Sequence, residues 1–141
     1  MTPEQSIFEG HYTNGKPYVI ARVVIVNPEN LRQTTIEKEF WIDSGFDGGI
    51  HIAQFHMSEI TMIGVSPVPG PIGVAGGERR QAYHCLAYLQ QIGEFEFPSP
   101  GIEVMLVLHG SARHGLLGLE VLKHWTTKLD GQNQSLSIIG S

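Results

Sequence analysis

Glycine and proline interrupt this chain throughout its length, with 17 glycines and 8 prolines among 141 residues. That frequency is higher than a helical bundle would carry, because both residues are unfavourable in helix interiors and favoured in turns. The runs between them are short, apolar and rich in β-branched residues, which is typical of strands. The sequence therefore predicts a mostly-β chain of short strands joined by turns.

The apolar runs, taken in chain order, predict the elements. Strands are expected at residues 17–26, 33–42, 50–53, 79–92, 94–97 and 102–108, and in a closing hairpin through Asp130-Gly131 to 136–139. Short helices are expected at 54–63 and about 119–125, and a turn at Asn14-Gly15. Residues 64–77 are rich in proline and glycine and carry no core pattern of their own. Because closure hides sheet edges, we expect a mostly-β fold in the form of a small closed β-barrel with one or two short helices.

Composition narrows the class of protein. The length fits one domain over residues 1–141, and 41% apolar residues can form a hydrophobic core. A net charge of −5 argues against a nucleic-acid partner. The only cysteine is Cys85, no signal peptide is evident, and no apolar run approaches the roughly 20 residues of a membrane helix. These features predict a cytoplasmic domain with no membrane partner.

One of the three aspartates stands out from the others. Asp47 and Asp130 each precede a glycine, as turn residues commonly do. Asp43 instead follows the apolar run Phe40-Trp41-Ile42 directly, so its carboxylate must be hydrogen-bonded, paired or protonated there. Ser44 offers a hydroxyl beside it, and Gly45 permits close approach of the backbone. Asp43 is therefore the candidate for chemistry.

The tripeptide Asp-Ser-Gly occurs in many surface turns, so its context decides its meaning. Here it lies within Trp41-Ile42-Asp43-Ser44-Gly45-Phe46-Asp47-Gly48, and Gly115-Leu116-Leu117-Gly118-Leu119 follows far downstream. In these motifs and their order, over about residues 17–139, the sequence resembles the retropepsin-like aspartic proteases, in particular their small prokaryotic relatives. Ser44 stands where threonine is commoner in that family. The family places a glycine-containing flap between the two motifs, and the candidate flap here is Gly73, Val74, Ala75, Gly76 and Gly77.

The resemblance implies that the small closed β-barrel is of the acid-protease type, and that the chain is an aspartic endopeptidase working as a homodimer. The chain has one Asp-Ser-Gly, so Asp43 of a second copy must supply the other carboxylate. Two carboxylates held together share one proton, and the pair then serves as general base toward a water and general acid toward the peptide carbonyl. Ser44 and Gly45 would form the active-site loop, and residues 73–77 would cover an extended peptide or protein substrate. No cofactor is implied.

Metal and thiol chemistry receive little support from the sequence. The seven histidines are scattered, with no His-Glu-x-x-His or Cys-x-x-Cys motif, so we expect solvated or structural histidines and no metal site. Cys85 lies in an apolar run and is interpreted as a small buried hydrophobe. Residues 73–77 lack the lysine of a phosphate-binding loop.

Two alternative interpretations remain open. One is a non-catalytic dimeric β-barrel that serves assembly or peptide binding, with Asp43 retained as a structural relic. The other is an unrelated β-barrel in which Asp-Ser-Gly occurs by accident, and in that case Asp43 should be exposed.

Overall fold

The computed structural model describes residues 5–45, 49–53, 57–65, 67–69, 81–109 and 115–140. Within these ranges the chain is mostly β. The strands are β1 (Gln5–His11), β2 (Tyr18–Val26), β3 (Gln33–Ile42), β4 (Ile50–Ala53), β5 (Pro67–Pro69), β6 (Gln81–Ile92), β7 (Phe95–Glu96), β8 (Ile102–His109), β9 (Gly115–Leu117), β10 (Thr126–Asp130) and β11 (Ser135–Gly140). The helices are α1 (Met57–Met62) and α2 (Leu119–Leu122).

Six of the strands close into a barrel. Neighbouring strands pair in the order β2-β3-β9-β4-β8-β6, and β6 pairs back to β2. The short strands β5 and β7 both pair with β6. The longest hairpin is β2–β3, which pairs from Tyr18 opposite Trp41 to Val26 opposite Gln33. A closed barrel with two short helices in the described ranges confirms the predicted fold class.

The barrel interior is filled by the alternate side chains of its strands. In β2, Val19, Ala21, Val23 and Ile25 are each no more than 1% exposed, as the two-residue period of a strand requires. The same buried cluster contains Phe40 and Ile42 of β3 and core residues from the other barrel strands, Ile50, Ala87, Leu89, Val104, Leu106 and Leu117. Burial of these apolar side chains is the main term that stabilises the barrel.

A second sheet packs against this core. It has three strands in the order β1-β11-β10, all antiparallel. Leu136 and Ile138 of β11 are almost fully buried and belong to the same hydrophobic cluster as the barrel. Strand β1 was not among the predicted strands. A β-bulge between Ser6 and Phe8 interrupts its register and so breaks the alternation by which a strand is recognised.

The loops agree with the sequence in part. Asn14 and Gly15 both have positive φ, at 51° and 74°, which confirms the predicted turn. The helix predicted at 54–63 is shorter, at Met57–Met62, and residues 54–56 lie outside the described ranges. Residues 64–77 carry no core pattern of their own in the sequence, yet Val65 from this stretch is buried in the core at 5% exposed.

Asn27 joins the β2–β3 turn to the end of α1. It is 5% exposed, its Nδ2 donates to the Ile63 carbonyl oxygen at 2.8 Å, and its Oδ1 accepts from the Glu29 N–H at 2.9 Å. We expect Asn27→Ala to lower the free energy of unfolding by about 1–3 kcal/mol, because buried polar groups would lose their partners. Denaturant unfolding measures this loss as a lower midpoint, with the dependence of the free energy on denaturant concentration the same as in the parent.

Asn30 provides the matched control for this prediction. Its Nδ2 donates to the same Ile63 carbonyl oxygen at 3.1 Å, but its side chain is exposed. Asn30→Ala should therefore cost less than Asn27→Ala. Equal losses for the two variants would contradict the importance of the buried hydrogen bond.

Candidate functional site

The two motifs singled out in the sequence meet at one end of the barrel. β3 ends at Ile42, and the backbone N–H of the next residue, Asp43, donates to the Leu117 carbonyl oxygen at 2.9 Å. β9 runs parallel to β3 and antiparallel to β4, with Leu117 opposite both Ile42 and Ile50. β9 is thus inserted between two strands that are consecutive in the chain, and the Asp43 loop connects those strands.

The position of Asp43 follows from the packing beneath it. Ile42, Leu117 and Ile50 form a row across the three strands, and they are 7%, 0% and 0% exposed. A strand with every second side chain locked into a core cannot slip by one residue without turning that row outward. The backbone at Asp43 is therefore fixed by the core, although Ser44 and Gly45 directly after it are exposed.

The Asp43 side chain is half-buried, and its carboxylate accepts one hydrogen bond from the described residues. Its Oδ1 accepts the backbone N–H of Gly45 at 2.9 Å, which is the hydrogen bond of an Asx turn. A Cβ on Gly45 would lie 3.3 Å from that oxygen, so glycine gives the backbone room to approach. Within the described ranges, Oδ2 accepts no hydrogen bond and the carboxylate forms no ion pair. Oδ2 therefore remains able to accept hydrogen bonds from a water or a second carboxyl group.

The other sequence-predicted site residues differ in what the structure shows of them. Ser44 is exposed, and its hydroxyl makes no hydrogen bond to any described residue. Gly73, Val74, Ala75, Gly76 and Gly77 lie outside the described ranges, as does Phe46-Asp47-Gly48. Asp43, Ser44 and Gly45 are thus the predicted residues that the structure brings together, in one turn.

Gly49 and Gly115, to which the sequence analysis assigned no role of their own, also shape the site. The Gly118 N–H donates to the Gly49 carbonyl oxygen at 2.9 Å, which ties the end of β9 to the start of β4. A Cβ on Gly49 would lie 2.8 Å from the Met105 carbonyl oxygen. On Gly115, a Cβ would overlap the Phe40 ring and lie 2.8 Å from the His51 carbonyl oxygen. Gly49 thus permits the start of β4 to approach β8, and Gly115 permits β9 to fit between β3 and β4.

Aromatic and basic side chains pack together where β2 begins and β3 ends. The Tyr18 ring meets the Trp41 ring edge-on at 5.5 Å, and Lys16 Nζ lies 4.6 Å above the Trp41 ring. Burial, and secondarily the charge of Glu39, raises the pKa of Tyr18. His51 is 3% exposed on β4, so it is a buried histidine rather than a solvated one.

Among the described residues, no group of three His, Cys, Asp or Glu side chains lies close enough together to bind a metal ion. In the same part of the chain, none of the helices has the length and apolar character needed to cross a membrane.

Comparison with known proteins identifies the fold. No protein-family model and no curated protein sequence matches the chain. Among solved structures, the chain is similar to a retropepsin-like aspartic protease from Rickettsia conorii, with a TM-score of 0.55 and 12% sequence identity. The match covers 99% of this chain and 94% of that one. At this identity the likeness shows a shared fold.

Proposed function

We propose that this chain is an aspartic endopeptidase whose active site forms between two copies, each of which supplies Asp43. One observation carries the proposal. The Asp43 backbone is fixed by the Leu117 carbonyl where three strands meet, while its carboxylate is half-buried and keeps one oxygen without a described partner. The similarity to the fold of a retropepsin-like aspartic protease supports the proposal. A second support is that the two sequence motifs, which contain Asp43 and Leu117, meet in the structure.

A single carboxylate cannot act as base and acid at once, so the chemistry requires the second copy. A two-fold axis beside the Asp43 loop would place the two carboxyl groups face to face, about 3 Å apart. At that distance the pair holds one proton, because two adjacent negative charges repel each other. The pair then contains an ionised and a protonated member in the same site.

The reaction follows from these two states. The ionised carboxylate removes a proton from a water molecule, whose oxygen attacks the peptide carbonyl carbon. The protonated carboxyl donates its proton to the carbonyl oxygen, and a tetrahedral diol forms without a covalent enzyme intermediate. Collapse of the diol breaks the C–N bond as the proton taken from water passes to the leaving nitrogen, and one diol hydroxyl returns its proton to the carboxylate that had protonated the carbonyl oxygen. The pair returns to its starting charge.

The neighbouring residues would orient this pair. The Gly45 N–H fixes one oxygen of each carboxylate, and the other oxygen would be left for the shared proton and the water. The exposed Ser44 hydroxyl is available to the opposite loop. We propose that Gly73, Val74, Ala75, Gly76 and Gly77 cover an extended peptide, since their glycines permit opening and closing.

One observation favours a second candidate function. The Asp43–Gly45 hydrogen bond is also what an ordinary structural Asx turn contains, and such a turn needs no chemistry. A dimeric barrel that binds peptides or serves assembly without cleaving them would show the same bond. Turnover measurements separate the two candidates.

The dependence of activity on protein concentration tests the shared site. We expect hydrolysis of a mixed peptide library, per mole of chain, to rise with concentration and to reach a plateau, because only dimers contain both carboxylates. The concentration at half-maximal activity should equal the dimer dissociation constant measured by sedimentation in the same buffer. Constant activity per chain down to concentrations where the chain sediments as a monomer would contradict the proposal.

A further inference from the structure

A cavity of about 150 Å³ lies on the outer wall of the barrel, where β2, β6 and β7 meet. Its walls are formed by Arg22, Gln90, Glu96, Phe97, Ser99 and Pro100. Arg22 faces outward, because its neighbours Ala21 and Val23 fill the barrel interior at 1% and 0% exposed. Glu37, directly opposite Arg22 on β3, precedes Asp43 by about 20 Å of extended strand. The cavity is therefore separate from the Asp43 loop.

The walls of this cavity are held by backbone hydrogen bonds. The Phe97 N–H donates to the Gln90 carbonyl oxygen at 2.9 Å, and the Gly93 N–H of the β6–β7 turn donates to the Ile20 carbonyl oxygen at 2.7 Å. The Phe97 ring also stacks on the Trp125 ring, with the ring centroids 5.8 Å apart. Walls that are fixed in this way need little ordering when a ligand binds, which favours affinity.

The charged pair in the cavity has one anchored and one solvent-exposed member. The Arg22 side chain is 32% exposed, and its Nε is covered and has no hydrogen-bond partner among the described residues. Glu96 is 71% exposed, and its Oε1 lies 3.5 Å from Arg22 Nη2, beyond the usual range of a hydrogen bond. An exposed ion pair of this length stabilises the protein little. Glu96 can therefore turn toward solvent, and the charged group left in the cavity is the guanidinium.

A weakly paired guanidinium favours a carboxylate ligand, because its N–H groups match the spacing of the two carboxylate oxygens. Ser99 and Gln90 add a hydroxyl and an amide that can donate further hydrogen bonds. Phe97 and Pro100 supply apolar surface, and a cavity of this volume admits a group of about the size of benzene. The carboxylate should therefore carry a small apolar or aromatic group.

The charges around the cavity disfavour ligands with several negative charges. Glu37 lies opposite Arg22 from β3, and Glu96 lies against it from β7. When Glu96 turns away, the guanidinium can balance one negative charge of a ligand, but a phosphate dianion would be repelled by the carboxylates nearby. A monocarboxylate is the anion that this arrangement fits.

We propose that this cavity is a binding site for a monocarboxylate with a small apolar group, held by its carboxylate on Arg22 and by its apolar group against Phe97 and Pro100. The C-terminal residue of a peptide and a free small acid share this chemistry. The proposal goes beyond the proposed function, because binding at Arg22 requires neither the Asp43 carboxylate nor a second copy of the chain.

Binding of N-acetyl-phenylalanine to the parent chain tests the proposal. Titration followed by amide NMR should give a dissociation constant on the order of 1 mM, with the largest shifts at Gln90, Phe97 and Ser99. N-acetyl-phenylalaninamide is the matched control, because a neutral amide replaces the carboxylate, and it should bind at least about tenfold more weakly. Equal binding of the two probes would overturn the proposal, as would shifts confined to residues outside the cavity.

Variants of the two charged residues should change the affinity in opposite directions. Arg22→Gln should weaken binding of N-acetyl-phenylalanine at least about tenfold, whereas Glu96→Gln should tighten it about threefold by removing the competing carboxylate. Arg32→Gln removes the same charge from an exposed arginine outside the cavity and should leave binding unchanged. A thermal melt checks the fold of each variant, and the gain in Glu96→Gln does not depend on the stability of Arg22→Gln. Weaker binding in Glu96→Gln would show that the glutamate holds the ligand, which contradicts the proposal.

A longer peptide ending in phenylalanine identifies the source of the carboxylate. Its binding is measured in Asp43→Asn, so that it stays uncleaved, with and without Arg22→Gln. Binding tighter than that of N-acetyl-phenylalanine, and weakened by Arg22→Gln, supports the site and identifies peptide C-termini as its ligands. Equal binding of the two, again weakened by Arg22→Gln, supports the site for free small acids. Peptide and N-acetyl-phenylalanine binding that both persist in Arg22→Gln overturn it.

The outcomes distinguish this proposal from the proposed function. A parent chain that cleaves peptides but binds N-acetyl-phenylalanine no better than its amide overturns the carboxylate site and leaves the protease assignment intact. Binding that depends on Arg22, in a chain without hydrolytic activity, supports the carboxylate site and contradicts the protease assignment.

Discussion

Asp43→Asn should abolish peptide hydrolysis, with kcat lowered by at least about 10³-fold, because general base and general acid disappear together from both halves of the site. The fold should be retained. Asparagine has the same shape as aspartate, and its Oδ1 can still accept the Gly45 N–H that closes the turn. The measurement is turnover of a mixed peptide library across acid and neutral pH, beside a thermal melt of each protein.

The pH profile of the parent provides a further check on the mechanism. Activity should be bell-shaped in pH, because the pair must carry a single negative charge, and the two limbs belong to the pair as a whole. Raising the pH removes the acid and lowering it removes the base. Any residual hydrolysis by Asp43→Asn should lack this profile.

Mixing the variant with the parent tests whether the site is shared. With equal amounts and free exchange of subunits, about one quarter of the dimers would carry two aspartates, so activity should fall to about a quarter of that of undiluted parent. A site contained within one chain would retain half. Undiminished hydrolysis in purified Asp43→Asn would falsify the assignment of Asp43. A change in stability alone would support the structural Asx turn.

The sequence predicts those strands whose own residues carry a recognisable hydrophobic pattern. β2 and β3 carry long runs of alternating or β-branched residues, and both appear where they were predicted. β1 does not follow the alternation, because its bulge between Ser6 and Phe8 disrupts the register. β9 has only three residues, and its strand character comes from β3 and β4 on either side. A three-residue run has too little pattern of its own to be recognised.

In the candidate site, too, contacts between near neighbours could be predicted from the sequence and contacts between distant residues could not. The bond between Asp43 and Gly45 spans two residues, so the Asp-Ser-Gly sequence is enough to suggest it. The bond from Asp43 to Leu117 joins distant parts of the chain, and only the resemblance of the two motifs to a family indicated that they belong together. The need for glycine at position 115 arises from the Phe40 ring and the β4 backbone. Such contacts depend on the assembled barrel, and a single sequence contains no signal for them.

Gly115→Ala should lower the free energy of unfolding by about 3 kcal/mol, near the upper end of the usual cost of overpacking a core. The added Cβ would overlap the Phe40 ring and come within 2.8 Å of the His51 carbonyl oxygen. Phe40 is 2% exposed and the oxygen belongs to the backbone of β4, so neither group can move aside easily. β9 must shift instead. The measurement is denaturant unfolding at equal protein concentration.

Gly131→Ala is the matched control, because a Cβ at Gly131 would have no heavy atom within 4 Å. Its free energy of unfolding should stay within about 0.5 kcal/mol of the parent. Equal stability of the two variants would show that β9 is not wedged between β3 and β4 as described.

The Gly115 variant should also lose activity at temperatures where it remains folded, since the Leu117 carbonyl that holds Asp43 belongs to the displaced strand. Loss of stability with full activity would mean that Asp43 is positioned independently of β9.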